Sequence, residues 1–401
     1  MTHDFSRRKF VIGSALGAAG TTLGLRAAFG QQKPLRIGAS LSLSGTLAAS
    51  GDKVKRGYEL WAADVNGRGG LLGRPVEFLI FDDRSDTGTS ARLYEKLITE
   101  DKVDLVIGPY GSGASFAASA VTEKYKVPML LPSGASEAIF TRGFKYVFQL
   151  FPPLATIFES LLGEAGARAG YNRVALIHSS DLYPKGVANA IEALAKKNNR
   201  NIVLKEEFPL NASDLSSLML KLRAARCDLL IGGAQLPDAI LILRQLKVAQ
   251  VLPKAIALSP GPLKDDFFQA LGGDAEGVMA DYLWEPVDPK PESRSFVTRW
   301  KSVHKDEPDV QSAFGWVGGQ LLEAAVTRAR SLDADKIRAA FLALETNTLL
   351  PGTFKLDPET GKQVGQTLGI VQWQKGRRQI VAPAALATAQ MIATLPAWDK
   401  R

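Results

Sequence analysis

Short runs rich in Val, Ile and Leu recur at regular intervals along this chain, and most are followed by a longer amphipathic stretch. That alternation is the pattern of βα units wound around a mainly parallel sheet, whose strands read as nearly continuous apolar runs because helices cover both faces. The expected strands are Leu35–Leu41, Val76–Phe81, Val103–Ile107, Val127–Leu131, Arg173–His178, Ile202–Phe208, Cys227–Ile231, Lys254–Leu258 and Gly277–Leu283. Helices are expected over Asp52–Asn66, Ser90–Glu100, Phe116–Tyr125, Pro184–Lys197, Leu215–Ala225, Pro237–Ala249 and Phe314–Ala329. In the second of these, Leu93, Leu97 and Ile98 share one face.

At 401 residues the chain is too long for one ordinary core. The strand-like run Phe148–Phe151 ends in Pro152-Pro153, after which the βα alternation restarts, as expected of a chain crossing between lobes. Leu283-Trp284-Glu285-Pro286-Val287-Asp288-Pro289 is a second such place. Beyond it come mostly helices up to Leu344, then a hairpin pattern in which Gly352–Leu356 and Leu368–Trp373 flank the turn-rich Asp357–Lys362. The expectation is therefore an α/β chain of two lobes, 34–150 with 286–350 and 151–285 with 351–385, joined by hinge crossovers and followed by a tail at 386–401.

Apolar residues make up 46% and charged residues 22%, which excludes disorder for the bulk of the chain. The single cysteine, Cys227, excludes an intramolecular disulfide, and with only His3, His178 and His304 beside it a Cys/His zinc site is not expected. No cofactor is implied. The formal charge is +8, but residues 1–30 hold Arg7, Arg8, Lys9 and Arg26 against Asp4 alone, so the remainder carries +5. No dense Lys/Arg run interleaved with aromatics follows, and a nucleic-acid groove is not expected.

Ser6-Arg7-Arg8-Lys9-Phe10 precedes an apolar stretch, Val11–Leu25, that closes with Arg26-Ala27-Ala28-Phe29-Gly30. This resembles a twin-arginine export signal. The apolar run is short and Gly-rich for a membrane span of about 20 residues. Cleavage near Ala28 to Gln31 would release a soluble protein into the periplasm, and an uncleaved anchor is the alternative. No cysteine follows the run, which excludes a lipid anchor of the usual kind.

Open α/β sheets bind ligands at the carboxyl ends of their strands, where helix N-termini present free N–H groups. Two loops fit: Gly108-Pro109-Tyr110-Gly111-Ser112-Gly113-Ala114-Ser115, and Pro132-Ser133-Gly134-Ala135-Ser136-Glu137. Glycines let a ligand approach the backbone, and Ser112 and Ser136 offer hydroxyl donors beside the amides. Together they make a carboxylate clamp; alternatively, the two serines cap their helices. Gly111-Ser112-Gly113 lacks the nucleophile-elbow pattern and no histidine has an obvious partner, so hydrolysis is not indicated. Asp82-Asp83 and Asp265-Asp266 are adjacent pairs, which in a strand point to opposite faces and are no sign of an acid/base site.

From about Leu35 to Trp373 the chain resembles the type I periplasmic solute-binding proteins of ABC transporters, in their leucine/isoleucine/valine-binding branch. The resemblance rests on the order and spacing of Leu41-Ser42-Leu43-Ser44-Gly45, Asn66 to Val76, Asp82-Asp83, Ile107-Gly108, Pro132-Ser133-Gly134-Ala135 and Arg244-Gln245. It implies a two-lobed fold that closes on a small carboxylate-bearing solute, an amino acid or aromatic acid, and hands it to a membrane permease as a monomer without catalysis. A ligand sensor or an exported enzyme are the alternatives. The ligand residues it implies are Ser44, Gly111, Ser112, Gly134, Ala135, Ser136, Tyr183, Asp238 and Trp284. Tyr183 would cover the ligand or pack at a helix start; Asp238 would meet an ammonium or hydroxyl group or serve its helix's first turn; Trp284 would shape the side-chain pocket or belong to the hinge core. Tyr110, Phe151 and Phe314 would complete an aromatic pocket with Tyr183 and Trp284. The departures are the missing disulfide, Ser50 where the branch carries a tyrosine, and Asp238 in place of a glutamate.

Overall fold

The computed structural model describes residues 33–401. The export signal expected at 1–30 lies outside them. Strands β1 (Leu35–Leu41), β2 (Val76–Asp82) and β3 (Leu105–Val106) form a parallel sheet in the order β2-β1-β3. Leu35 faces Val76, and Ile37 faces Leu105. All of β1 except Arg36 is buried, because helices cover both faces of this sheet. A second parallel pair, β4 (Met129–Leu131) and β5 (Val147–Gln149), continues the lobe, tied to the end of β3 by the Gly108 amide donating to the Leu130 carbonyl at 2.8 Å.

The other lobe holds β6 (Arg173–Ser179), β7 (Asn201–Phe208), β8 (Leu229–Ala234), β9 (Ala255–Pro260) and β10 (Met279–Tyr282), these five all parallel to one another. Helix Val310–Ala329 then returns the chain to the first lobe, packed on helix Ala48–Gly67. The two helices touch backbone to backbone: a β-carbon on Gly57 would stand 2.4 Å from the Ser312 carbonyl oxygen. Only glycine allows that approach.

The expected turn does fold back, with Leu356 antiparallel to Gln363 and the Val364 amide donating to the Lys355 carbonyl at 2.8 Å, but its second arm is not Leu368–Trp373. β11 (Glu345–Asn347) and β12 (Thr353–Lys355) pair with each other, and Gly352–Leu356 does not pair with Leu368–Trp373. β13 (Gly369–Gln374) instead pairs antiparallel with β10 and with β14 (Arg377–Ala382), a strand the sequence reading did not name, completing the order β14-β13-β10-β9-β8-β6-β7. The reason is burial. β13 is buried from Gly369 to Trp373, so its backbone groups need partners on both edges, whereas the Asp357–Lys362 turn folds onto β5, with the Gln149 backbone amide donating to the Gly361 carbonyl at 2.9 Å. A change of lobe at 351 would therefore split the β11–β12 pair; the crossing comes after the turn that rests on β5. The 386–401 segment is packed, not free: Leu395 and Trp398 are buried, and the Leu395 amide donates to the Lys254 carbonyl at 2.8 Å. Among the described residues no helix is long and apolar enough to cross a membrane.

Candidate functional site

Between the lobes lies a cavity of about 160 Å³, walled by Tyr110, Phe151 and Tyr183 and closed by Leu263 and Leu283. A cavity near 150 Å³ accepts a benzene-sized solute. Phe151 stands in the first crossover, edge-on to Tyr183 with ring centroids 6.0 Å apart and stacked on Phe314 at 5.3 Å. Phe314 and Trp284 do not reach the cavity. Trp284 is wholly buried, its indole N–H donating to Ser293 Oγ at 2.9 Å and its ring edge-on to Phe296, so it belongs to the hinge core.

The first lobe presents the start of helix Ser112–Lys124 to the cavity. Gly111 caps it at φ +84°, a conformation that favours glycine, and so turns the chain from the loop after β3 into the helix. Gly111, Ser112, Gly113 and Ala114 all line the cavity. The first-turn amides of a helix have no intrahelical acceptor and carry the positive end of its dipole. The second loop behaves differently from expectation. The Ser112 hydroxyl accepts hydrogen bonds from the Ala135 and Ser136 amides, each at 3.1 Å, and Gly134, Ala135 and Ser136 do not line the cavity. Those two amides are consumed in tying the loops together, while the Ser112 O–H proton is left to donate. Ser133, beside them, lines the cavity with its hydroxyl buried and unpartnered. Ser44 also stands outside, donating to Asp82 Oδ2 at 2.7 Å.

From the second lobe the ring of Tyr183 lines the cavity and its hydroxyl meets Ser259 Oγ at 2.7 Å. Burial pushes this phenol well above its ordinary pKa and raises that of Tyr110 to about 12, so both remain neutral donors. Asp281 is completely buried, and burial raises its pKa to about 6, the Ser259 hydroxyl opposing the rise. Asp238 is likewise buried, raised to about 6 by burial, and it does not line the cavity although Pro237 does.

Three residues that the sequence reading did not single out are present. Asp181 is the one charged side chain lining the cavity among the described residues; its Oδ1 caps the Leu182 amide at 2.7 Å and its Oδ2 accepts from Gln235 Nε2 at 3.0 Å. Gln235 lines the cavity too, as does Gln311, at the start of helix Val310–Ala329. An Asp immediately before a helix was the available signal for Asp181. His178 and His304 lie elsewhere, the latter 4.2 Å from the Trp300 ring centroid. No cluster of three or more His, Cys, Asp or Glu side chains suited to a metal occurs among the described residues.

Residues 34–378 match the family model described as periplasmic binding protein. The Leu/Ile/Val-binding protein homolog 7 of Brucella suis biovar 1 (strain 1330) is 26% identical over 378 residues, covering 89% of this chain and 93% of its own. The same fold occurs in the substrate-binding protein LivJ from Streptococcus pneumoniae in complex with isoleucine, with a TM-score of 0.78, 22% identity and coverage of 86% and 98%. It occurs again in the solute-binding protein from R. palustris in complex with benzoate, with a TM-score of 0.76, 24% identity and coverage of 89% and 98%. The chain belongs to the periplasmic binding proteins of type I, in the leucine/isoleucine/valine-binding family.

Proposed function

We propose that this protein is the extracytoplasmic solute-binding component of an ABC importer, taking a small carboxylate-bearing solute into the interlobe cleft and delivering it to a membrane permease. The observation that carries the reading is an aromatic-walled cavity onto which the N-terminus of helix Ser112–Lys124 opens, with no lysine, arginine or histidine lining it among the described residues. A carboxylate is held there by neutral donors: the Gly113 and Ala114 amides and the hydroxyls of Ser112 and Ser133. Charge-assisted hydrogen bonds contribute about 1.5–3 kcal/mol each, enough for roughly micromolar affinity after the losses of association. Closure follows because the solute touches both lobes only when they meet, so its differential affinity draws the hinge shut.

Two proteins of this fold were solved in complex with isoleucine and benzoate, which supports reading the ligand as an aliphatic amino acid or an aromatic acid. The aromatic walls and the size of the cavity suit either. Residues 6–10 supply a twin-arginine signal that sends the chain to the periplasm, where it acts as a monomer. A thermal-shift screen of amino acids and aromatic carboxylates tests the reading. A ligand at 100 times its Kd stabilises the protein by about 2.7 kcal/mol, and the bound compound is recovered chemically unchanged. No shift with any carboxylate, or turnover of a hit, would overturn it.

A further inference from the structure

Gln311 is 4% exposed, lines the cavity, and its side-chain amide makes no hydrogen bond to the protein; Oε1 is fully buried without a partner. A buried amide left unpaired is costly, and a leucine or methionine of similar shape would fill the same space without that cost. The surroundings do not explain the amide. Leu263, Leu283 and Tyr110 share the cavity wall with it, and the Asp181–Gln235 hydrogen bond does not include it. The position is also held firmly. The Gln311 backbone N–H donates to Asp309 Oδ1 at 3.0 Å, inside a capping box that Ser312 completes, and Asp309 is fixed in turn by Lys264 from the other lobe.

A rigidly placed carboxamide with a free donor and a free acceptor matches a group that both accepts and donates. We propose that Gln311 is a specificity-determining residue that hydrogen-bonds a second polar group of the solute, a hydroxyl or carboxamide, so that the cleft prefers carboxylates bearing such a group over their wholly apolar analogues. This rests on the carboxylate reading above, in which Ser112 and its neighbours hold the first polar group. A site built to pair a solute hydroxyl rejects the analogue lacking it, because the protein group is then left buried and unsatisfied.

The test compares matched probes by calorimetry: 4-hydroxybenzoate with benzoate, tyrosine with phenylalanine, and threonine with valine. In any pair that binds, the hydroxylated member is expected to bind at least tenfold more tightly. In Gln311→Met the preference is expected to fall below threefold, while the melting temperature of the unliganded variant stays unchanged or rises; Gln311→Leu serves as the second variant should Met repack. A purely structural glutamine would instead lower the melting temperature and leave the preference intact, and that result overturns the proposal. Equal binding of both members by the native protein overturns the proposal alone. Failure of every pair to bind overturns the carboxylate reading and the proposal with it.

Discussion

Lys264 of the second lobe and Asp309 of the first meet across the cleft at 3.1 Å, both almost entirely buried. Burial works against the ionised Asp309 carboxyl, but Lys264, then Lys53 and the Ser312 amide, outweigh it and hold its pKa below the ordinary value. The pair is made only where the lobes touch, so it belongs to the closed arrangement. Lys264→Met is expected to favour the open one. Conformational couplings of 1–3 kcal/mol correspond to about 5–150-fold in affinity, so the Kd of a confirmed ligand should rise within that range and the radius of gyration of the free protein should grow in small-angle scattering. Unchanged values of both would remove the pair from the closing mechanism.

Ser112→Ala leaves the buried Ala135 and Ser136 amides without an acceptor. Each orphaned donor costs about 1–3 kcal/mol. The variant should therefore melt earlier and also bind its ligand more weakly, whereas Ser136→Ala, whose hydroxyl does not line the cavity, should leave affinity nearly intact. Equal binding losses in the two variants would show that the second loop touches the solute after all.

Gly113→Val probes closure without touching the core. A β-carbon there would lie 3.0 Å from Thr87 Cγ2 and 3.8 Å from Asp181 Oδ1 on the facing lobe. The added methyls wedge the mouth, so affinity should fall by about tenfold or more with little change in melting temperature. Native affinity in this variant would mean that the lobes do not close at this point.

Asp281 gives the fold a pH dependence of defined sign. Its folded-state pKa, about 6, lies above the ordinary 3.8, and the groups facing it are the hydroxyls of Ser259, Tyr183 and Tyr110. The stability this raised value contributes is complete below pH 3.8 and is lost as pH rises through about 6, a swing on the order of 3 kcal/mol. Asp238 adds a swing of the same sign. Melting temperature should fall between pH 4 and pH 7, and Asp281→Asn should flatten much of that slope. An identical slope in the variant would place the titration elsewhere.

Much of the fold was legible in the residues. The apolar runs from Leu35 to Leu283 became strands within a few positions of expectation, because a strand covered on both faces must be apolar throughout. The loop at Gly111–Ala114, which lines the cavity, was legible as a helix start with free amides for a similar reason: glycine and serine between a strand and a helix mark them. The late segment was legible only at its turn: the chain does fold back at Asp357–Lys362, but only the open edge of β10 decides where β13 pairs.

What the sequence determined by itself was the alternation of strands and helices and the helix start after β3, both consequences of periodicity and backbone preference within a few residues. What only the tertiary structure decided was which polar groups remain free. Ser112 takes up the amides expected to meet a ligand, Trp284 turns into the hinge, and Asp181 and Gln311 arrive at the cavity from elements 130 positions apart. Hydrogen-bond capacity is settled by the partners that folding brings within about 3 Å, and no local pattern records those.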